Sequence, residues 1–422
     1  MATIAGVLYL TQGQQLQIAG FNLYALRFVE IAGFIRVLSR REFSFSQVNA
    51  LDRSFILLYF YMTIVFLLRS KDGQANQIGT MVDACFCYFT FRGLLGNSQD
   101  LNWFLRAFLI LLLPYTLLVL YESLSGQNLF SYLGASAIDS SNWIRGGRVR
   151  CWGSFRHPSL LGTLGASFLP IYAGKWFAKT DRKTAALGVI LCSIIVWTTN
   201  SGGPVSCVAI GIVGWALWVA RNKMQLFRRT LVVMIIVIGF LMKAPIWYLP
   251  ARVSSLTGGD GWHRSYLMNV AFENIDKWWF AGMSLGETAG WFPYDIGGTG
   301  GADITNLYLS FGMTAGVFAA ILFIVLLTKA YKVLGRSLML VRSNQEKSQE
   351  IEFLLWGMGV VLAVHIFNWL GITYFDQTAA IWFMQLAIIS NLSEEITKQY
   401  SSQNRSESPQ NAGELNSSVH LT

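Results

Sequence analysis

Apolar stretches of roughly twenty residues recur along the chain, with short polar or glycine-rich breaks between them. They fall near 18–38, 53–69, 78–96, 101–121, 157–177, 184–200, 203–220, 230–248, 304–328, 353–371 and 375–392. Roughly twenty residues is the length an α-helix needs to cross a bilayer's hydrocarbon core. The pattern predicts an all-α polytopic membrane protein with about eleven transmembrane helices, in a range of ten to twelve. Two polar intervals, 122–156 and 249–302, are too long for turns and are expected to be large loops. The opening residues lack a basic start and a small-residue cleavage site. They read as the remnant of an upstream helix or a lipid-skimming start, not as a signal peptide. Residues 1–392 are expected to form a single membrane domain. Residues 393–422, rich in Ser, Asn, Gln and Glu, are expected to be a disordered tail.

Composition supports the class. The 422-residue chain is 53% hydrophobic and 13% charged, with fifteen tryptophans and twenty-nine phenylalanines. Its mean hydropathy is +0.44, which excludes an ordinary soluble domain. Cys85 and Cys87 are offset by two on one helix, a poor metal pair. Cys192 and Cys207 read as apolar fillers, and only Cys151 is expected to be exposed outside, so no disulfide framework is predicted. Walker, DxD and zinc spacings are lacking, and neither a metal nor a cofactor is expected.

Charge placement sets the topology. If the loops alternate sides, twenty-one of the thirty-two basic residues fall on one side, which the positive-inside rule makes cytoplasmic. The C-terminus lies on that side, and both large loops lie outside. The net charge of +9 is then mostly cytoplasmic anchoring and gives no reason to expect nucleic acid as a partner. Ten basic residues remain outside, and four of them crowd one stretch, 142–162: Arg145, Arg148, Arg150 and Arg156. Guanidinium forks suit phosphate oxygens, and the interleaved glycines allow close backbone approach. Such a cluster can grip ordinary lipid phosphates or a specific anionic headgroup. The anionic inner leaflet cannot account for arginines on the outer side, which favours the headgroup.

Other polar positions are fewer. Within the apolar runs, Arg27 is expected to pair with Glu30 three residues on, and Asp83 with Arg92 or a neighbouring helix. The tight turn 198–205 brings Ser201 and backbone N–H groups to the outer surface, where they hold an anion or simply break the helix. Residues 263–280 show a 3.6-residue apolar period, predicting an amphipathic helix along the membrane surface with Arg264 at its start. Trp278, Trp279 and Trp291 read as interfacial anchors or as stacking platforms for sugar rings, anchoring being the plainer reading. Asp303, Thr305, Asn306 and Tyr308 cluster at a helix mouth, where an N-cap role is the plain alternative. His365 and Asn368 are expected to bond between helices.

Taken in order, these pieces resemble the O-antigen ligase and polymerase superfamily of bacterial envelope glycan enzymes. The resemblance rests on Gly153, Phe155, His157 and Pro158; on Ser201, Gly202, Gly203 and Pro204; on Arg264; and on Asn306, Tyr308 and Leu309. Ligases of that family carry a histidine where this chain has Thr305, and many members carry an arginine where it has Gly202. The resemblance implies a GT-C-like membrane enzyme of the bacterial cytoplasmic membrane. It would move a polyprenyl-diphosphate-linked glycan to a hydroxyl of an acceptor glycan or lipid, without a metal. Arg148, Arg150, Arg156 and Arg264 would hold the diphosphate, and Asp303, or else His157, would act as general base. Ser201, Asn306 and Tyr308 would support them, and membrane lipids would surround the bundle. A lipid-linked glycan transporter and a catalytically silent assembly partner are the other readings.

Overall fold

The computed structural model describes residues 2–18, 21–136, 143–179, 181–249, 251–252, 261–291, 301, 304–343 and 348–417. Side chains at 2, 4, 17–18, 21–22 and 401–417 are left aside. The described chain is mostly helical with almost no strand. In order it forms α1 (Ala2–Tyr9), β1 (Gln15–Ile18), β2 (Phe21–Tyr24), α2 (Ala25–Ser39), α3 (Ala50–Arg69), α4 (Gln74–Leu94) and α5 (Ser98–Ser125). Then come β3 (Ile144–Arg145), β4 (Arg148–Val149), α6 (Pro158–Phe177), α7 (Arg182–Thr198), α8 (Gly202–Ala216), α9 (Met224–Leu241), α10 (Gly261–Glu273) and α11 (Ile275–Trp278). The last four are α12 (Leu307–Ala315), α13 (Val317–Ser343), α14 (Gln349–Asn368) and α15 (Asp376–Ser417).

By length and composition, five of these units can cross a membrane: α3, α5, the stretch Gly202–Leu241, α13 and α14. Helix ends follow local chemistry. Asn49 starts α3 by accepting the Leu51 and Asp52 N–H groups, while Asp52 accepts the Asn49 N–H in return. Asn97, Asn306 and Ser348 cap α5, α12 and α14, each accepting one backbone N–H.

Two groups of helices pack side by side. In one, α6 lies against α7, α8 and α14; in the other, α15 lies against α4 and α13, with α3 beside them. Phe55, Tyr88, Phe108, Phe155, Phe168, Tyr172, Phe323 and Trp369 are fully buried in the shared core. Glycine permits close crossing in the first group: a Cβ on Gly165 would lie 2.6 Å from the Cys192 carbonyl oxygen. In the second group a buried polar knot replaces apolar contact. Arg92 grips Asp52 through two 3.0 Å bonds, Tyr88 donates to Asp52 at 2.6 Å, and Glu394 lies 3.2 Å from Arg92.

The structure corrects several expectations. The stretch 18–38 is not one helix. Its first part pairs with Gln15–Ile18 as an antiparallel hairpin, Ile18 opposite Phe21, and α2 begins only at Ala25. The stretch 304–328 breaks at Gly316, whose φ of 83° ends α12 before α13 starts. Arg27 pairs with Asp83 at 2.5 Å instead of with Glu30, and Arg92 takes Asp52. Cys151 is fully buried, and burial near Glu122 pushes its thiol up to about 12. The apolar face of α10 packs on the protein itself: Leu267, Met268 and Ala271 join Trp278, Trp291, Leu309 and Met313 in a second core cluster. Trp278 and Trp291 are therefore core residues, whereas Trp279 is exposed. Helix α15 continues past 392, and its buried face reaches Ile396.

Candidate functional site

Four helices begin at one end of the bundle: α6, α8, α12 and α15. Their mouths are tied together. The Ser159 and Ser201 hydroxyls share a 2.7 Å bond, and the Leu307 N–H donates to Trp369 O at 3.0 Å. Thr373 Oγ1 donates to Ile304 O at 2.5 Å. Arg156 Nε lies 2.6 Å from Asp376 Oδ2, joining the start of α6 to the start of α15. Each mouth adds the positive end of a helix dipole, offset in part by the C-terminal ends of α7 and α14 beside them, so the arginines carry most of the preference for an anion.

The arginine-rich stretch folds as a tight hairpin. Arg145 pairs with Arg148 across Gly146 and Gly147, whose φ values of 56° and 75° suit a left-handed two-residue turn. Asn200, itself at φ 43°, donates its side chain to Arg145 O at 2.7 Å and Arg148 O at 3.3 Å. The hairpin and the Ser201 turn thus form one unit. Arg148 is exposed; its guanidinium lies 4.0 Å over the Trp197 ring and donates to Trp197 O at 2.9 Å. Arg150 is buried, with its N–H on Trp143 O at 2.8 Å.

The following segment is clamped from below. The Glu122 carboxylate accepts the Trp152 and Gly153 N–H groups at 3.0 Å each, and Asn128 donates to Gly153 O at 2.7 Å. Phe155 plugs the core. His157 then caps α6, its Nδ1 accepting the Ser159 N–H at 3.1 Å. A backbone amide can only donate, so Nδ1 carries a lone pair and the neutral ring holds its proton on Nε2.

A second group of the predicted residues sits at the α14–α15 turn. Arg264 packs against Gly371, where a Cβ would come within 3.0 Å of Nη1. Asn306 is buried as the α12 cap and donates to Leu370 O at 3.3 Å. Tyr308 points inward, its hydroxyl on Ile366 O at 3.1 Å. Ser201 is buried, not displayed at the surface. Asp303 lies outside the described residues.

Between the loop after α1 and helices α2, α3, α4, α12 and α15 lies a cavity of about 390 Å³. Of the predicted site residues with described side chains, Arg156 alone lines it; Arg27, Glu30, Asp83 and Asp376 join it there. Sequence reasoning noticed three of these four charged residues as intramembrane: it paired Arg27 with Glu30, but it allowed Asp83 a partner on a neighbouring helix, which Arg27 of α2 is. The signal that could have singled out Asp376 is a carboxylate opening an apolar helix. Among the described residues, no group of three or more His, Cys, Asp or Glu side chains could hold a metal ion.

The fold and site define a class: an all-α protein whose apolar helices suit a membrane and whose helix mouths and arginines suit an anion. No protein-family model matches the chain, and no curated protein matches its sequence.

Proposed function

We propose that the chain is a glycosyltransferase of the bacterial cytoplasmic membrane, O-antigen ligase- or polymerase-like. It transfers a polyprenyl-diphosphate-linked glycan to an acceptor hydroxyl on the outer face. In this reading the bundle is GT-C-like with about eleven spans, and the C-terminus is cytoplasmic. One observation carries the reading: four helix mouths gather at one end of the bundle, with Arg148, Arg156 and Arg264 beside them.

Glycosyl transfer breaks the bond between the sugar's anomeric carbon and the diphosphate as the acceptor oxygen attacks that carbon. Negative charge grows on the departing diphosphate, and fixed guanidinium groups and helix dipoles stabilise it without reorganising. In this reading Arg148 and Arg264 supply such charge, and Arg156 joins them by exchanging Asp376 for a phosphate oxygen. His157, protonated at Nε2, acts as a hydrogen-bond donor. Asp303 is the proposed base that takes the acceptor's proton. The polyprenyl tail lies along α9, which has no buried residue and whose second half, from Leu231 to Leu241, is apolar throughout.

The cavity favours a second reading. Paired charges at membrane depth mark substrate pathways in transporters, and Arg27–Asp83 and Arg156–Asp376 line one cavity. Purified protein given a polyprenyl-diphosphate glycan and an acceptor separates the two. New glycosidic linkage in detergent solution supports the transferase, and binding without product supports the transporter.

A further inference from the structure

At the opposite end of the bundle, α3, α13 and α15 enclose a second cavity of about 630 Å³. That volume is within the range of about 300–1,000 Å³ typical of small-molecule sites. Val333, Met339 and Leu340 supply apolar wall, and Arg336 and Lys398 stand at it as exposed cations. Neither cation is ion-paired among the described residues. The acid that also lines the cavity, Glu394, is already committed, to Arg92 at 3.2 Å and to the Asn49 side chain at 2.9 Å.

Ser393 adds an independent sign. It is 7% exposed and lines the cavity, yet its Oγ has no hydrogen-bond partner among the described residues. A buried hydroxyl left unmatched costs free energy that a ligand oxygen would restore. The neighbouring serine behaves ordinarily: Ser390 accepts from Asn49 and donates to Asp52.

We infer that this cavity binds an anionic phospholipid. Its phosphate would sit between Arg336 and Lys398 and accept from Ser393, and its upper acyl carbons would lie against Val333, Met339 and Leu340. Apolar walls with unneutralised cations match an amphiphile with an anionic head, and basic pockets between membrane helices hold such headgroups. A zwitterionic lipid would set its own ammonium against the two cations. The inference does not depend on the proposed transfer reaction.

The test uses the full-length protein, stripped of lipid in a neutral maltoside detergent. Its melting temperature is followed by tryptophan fluorescence as phosphatidylglycerol or phosphatidylcholine with matched acyl chains is added. Phosphatidylglycerol is expected to raise the melting temperature by several degrees more than phosphatidylcholine. The exposed double substitution Arg336→Gln/Lys398→Gln is expected to weaken phosphatidylglycerol binding about thirty-fold and erase the difference. Ser393→Met, which fills the cavity and leaves both cations in place, is expected to weaken it as well. Equal stabilisation of the wild type by both lipids would overturn the inference. So would an undiminished preference in the double variant, or the same shift from glycerol phosphate alone, which would mean a free-anion site.

Discussion

Arg156 and Asp376 meet at 2.6 Å on the wall of a cavity, and the same guanidinium lies 5.6 Å from the Tyr24 ring and 5.8 Å from the Phe375 ring. The guanidinium therefore rests beside two aromatic faces as well as its carboxylate. If Arg156 grips a diphosphate, the cation must stay just ahead of α6 for transfer to proceed. Arg156→Lys keeps the charge but loses the fork, and transfer should fall at least tenfold at normal protein level. The exchange Arg156→Asp/Asp376→Arg restores the ion pair with its polarity reversed. It should be as stable as Arg156→Lys yet inactive; full activity in the exchanged protein would remove Arg156 from the phosphate site.

The His157 cap makes a separable prediction. His157→Asn can still accept the Ser159 N–H, so helix α6 should stay intact and transfer should largely survive. His157→Ala loses the cap and about 1 kcal/mol of stability. Asp303→Asn should reduce transfer by ~10²-fold or more with the protein still inserted. Activity assays beside thermal melts check both. A dead but stable His157→Asn with an active Asp303→Asn would reverse the assignment.

Cys151 should be inert to thiol reagents near neutral pH. It is buried, and its thiol, at about 12, is protonated over the working range. A cysteine placed at the exposed Ser136 should therefore report alone from its loop, and one at Ser343 from the other end of α13. With a membrane-impermeant maleimide on intact spheroplasts, Ser136→Cys should label and Ser343→Cys should not. The reverse pattern would turn the proposed topology inside out.

The Arg92–Asp52 knot should be a single point of failure. Asp52→Ala leaves a buried guanidinium short of its main partner and is expected to cost about 3–5 kcal/mol. Replacing both residues with leucine removes the stranded charge and should be milder. Denaturation of the three proteins in the same detergent measures the difference.

Much of the helical frame was legible in the apolar pattern. Stretches read at 53–69 and 184–200 emerge as Ala50–Arg69 and Arg182–Thr198, because lipid-length hydrophobicity and local caps act over a few residues. The reading failed where a boundary leaves hydropathy unchanged. Gly316 is one small residue among apolar ones, and Leu16 and Leu23 alternate over strands too short to stand out. Pairing was the least legible. Arg27 lies one turn from Glu30 in sequence but meets Asp83 of α4, and Arg156 meets a carboxylate beyond the whole middle of the chain. Sequence distance ranks neighbours on one helix only, and packing of separate helices chose these partners.

The break between α12 and α13 carries a consequence for reading variants of the surface segment. Where α12 stops, the Met313 carbonyl accepts the Met283 N–H at 2.8 Å, and the Val317 N–H is taken by Trp279 O at 2.8 Å. The two backbones cross so closely that a Cβ on Gly282 would meet Met313 O at 2.3 Å, and one on Gly316 would meet Phe280 O at 2.2 Å. This clasp registers the segment bearing α10 against the bundle like a keyed joint. Arg264 inherits its position from it. A substitution at Gly282 or Gly316 would thus mimic loss of the arginine while leaving the arginine itself in place.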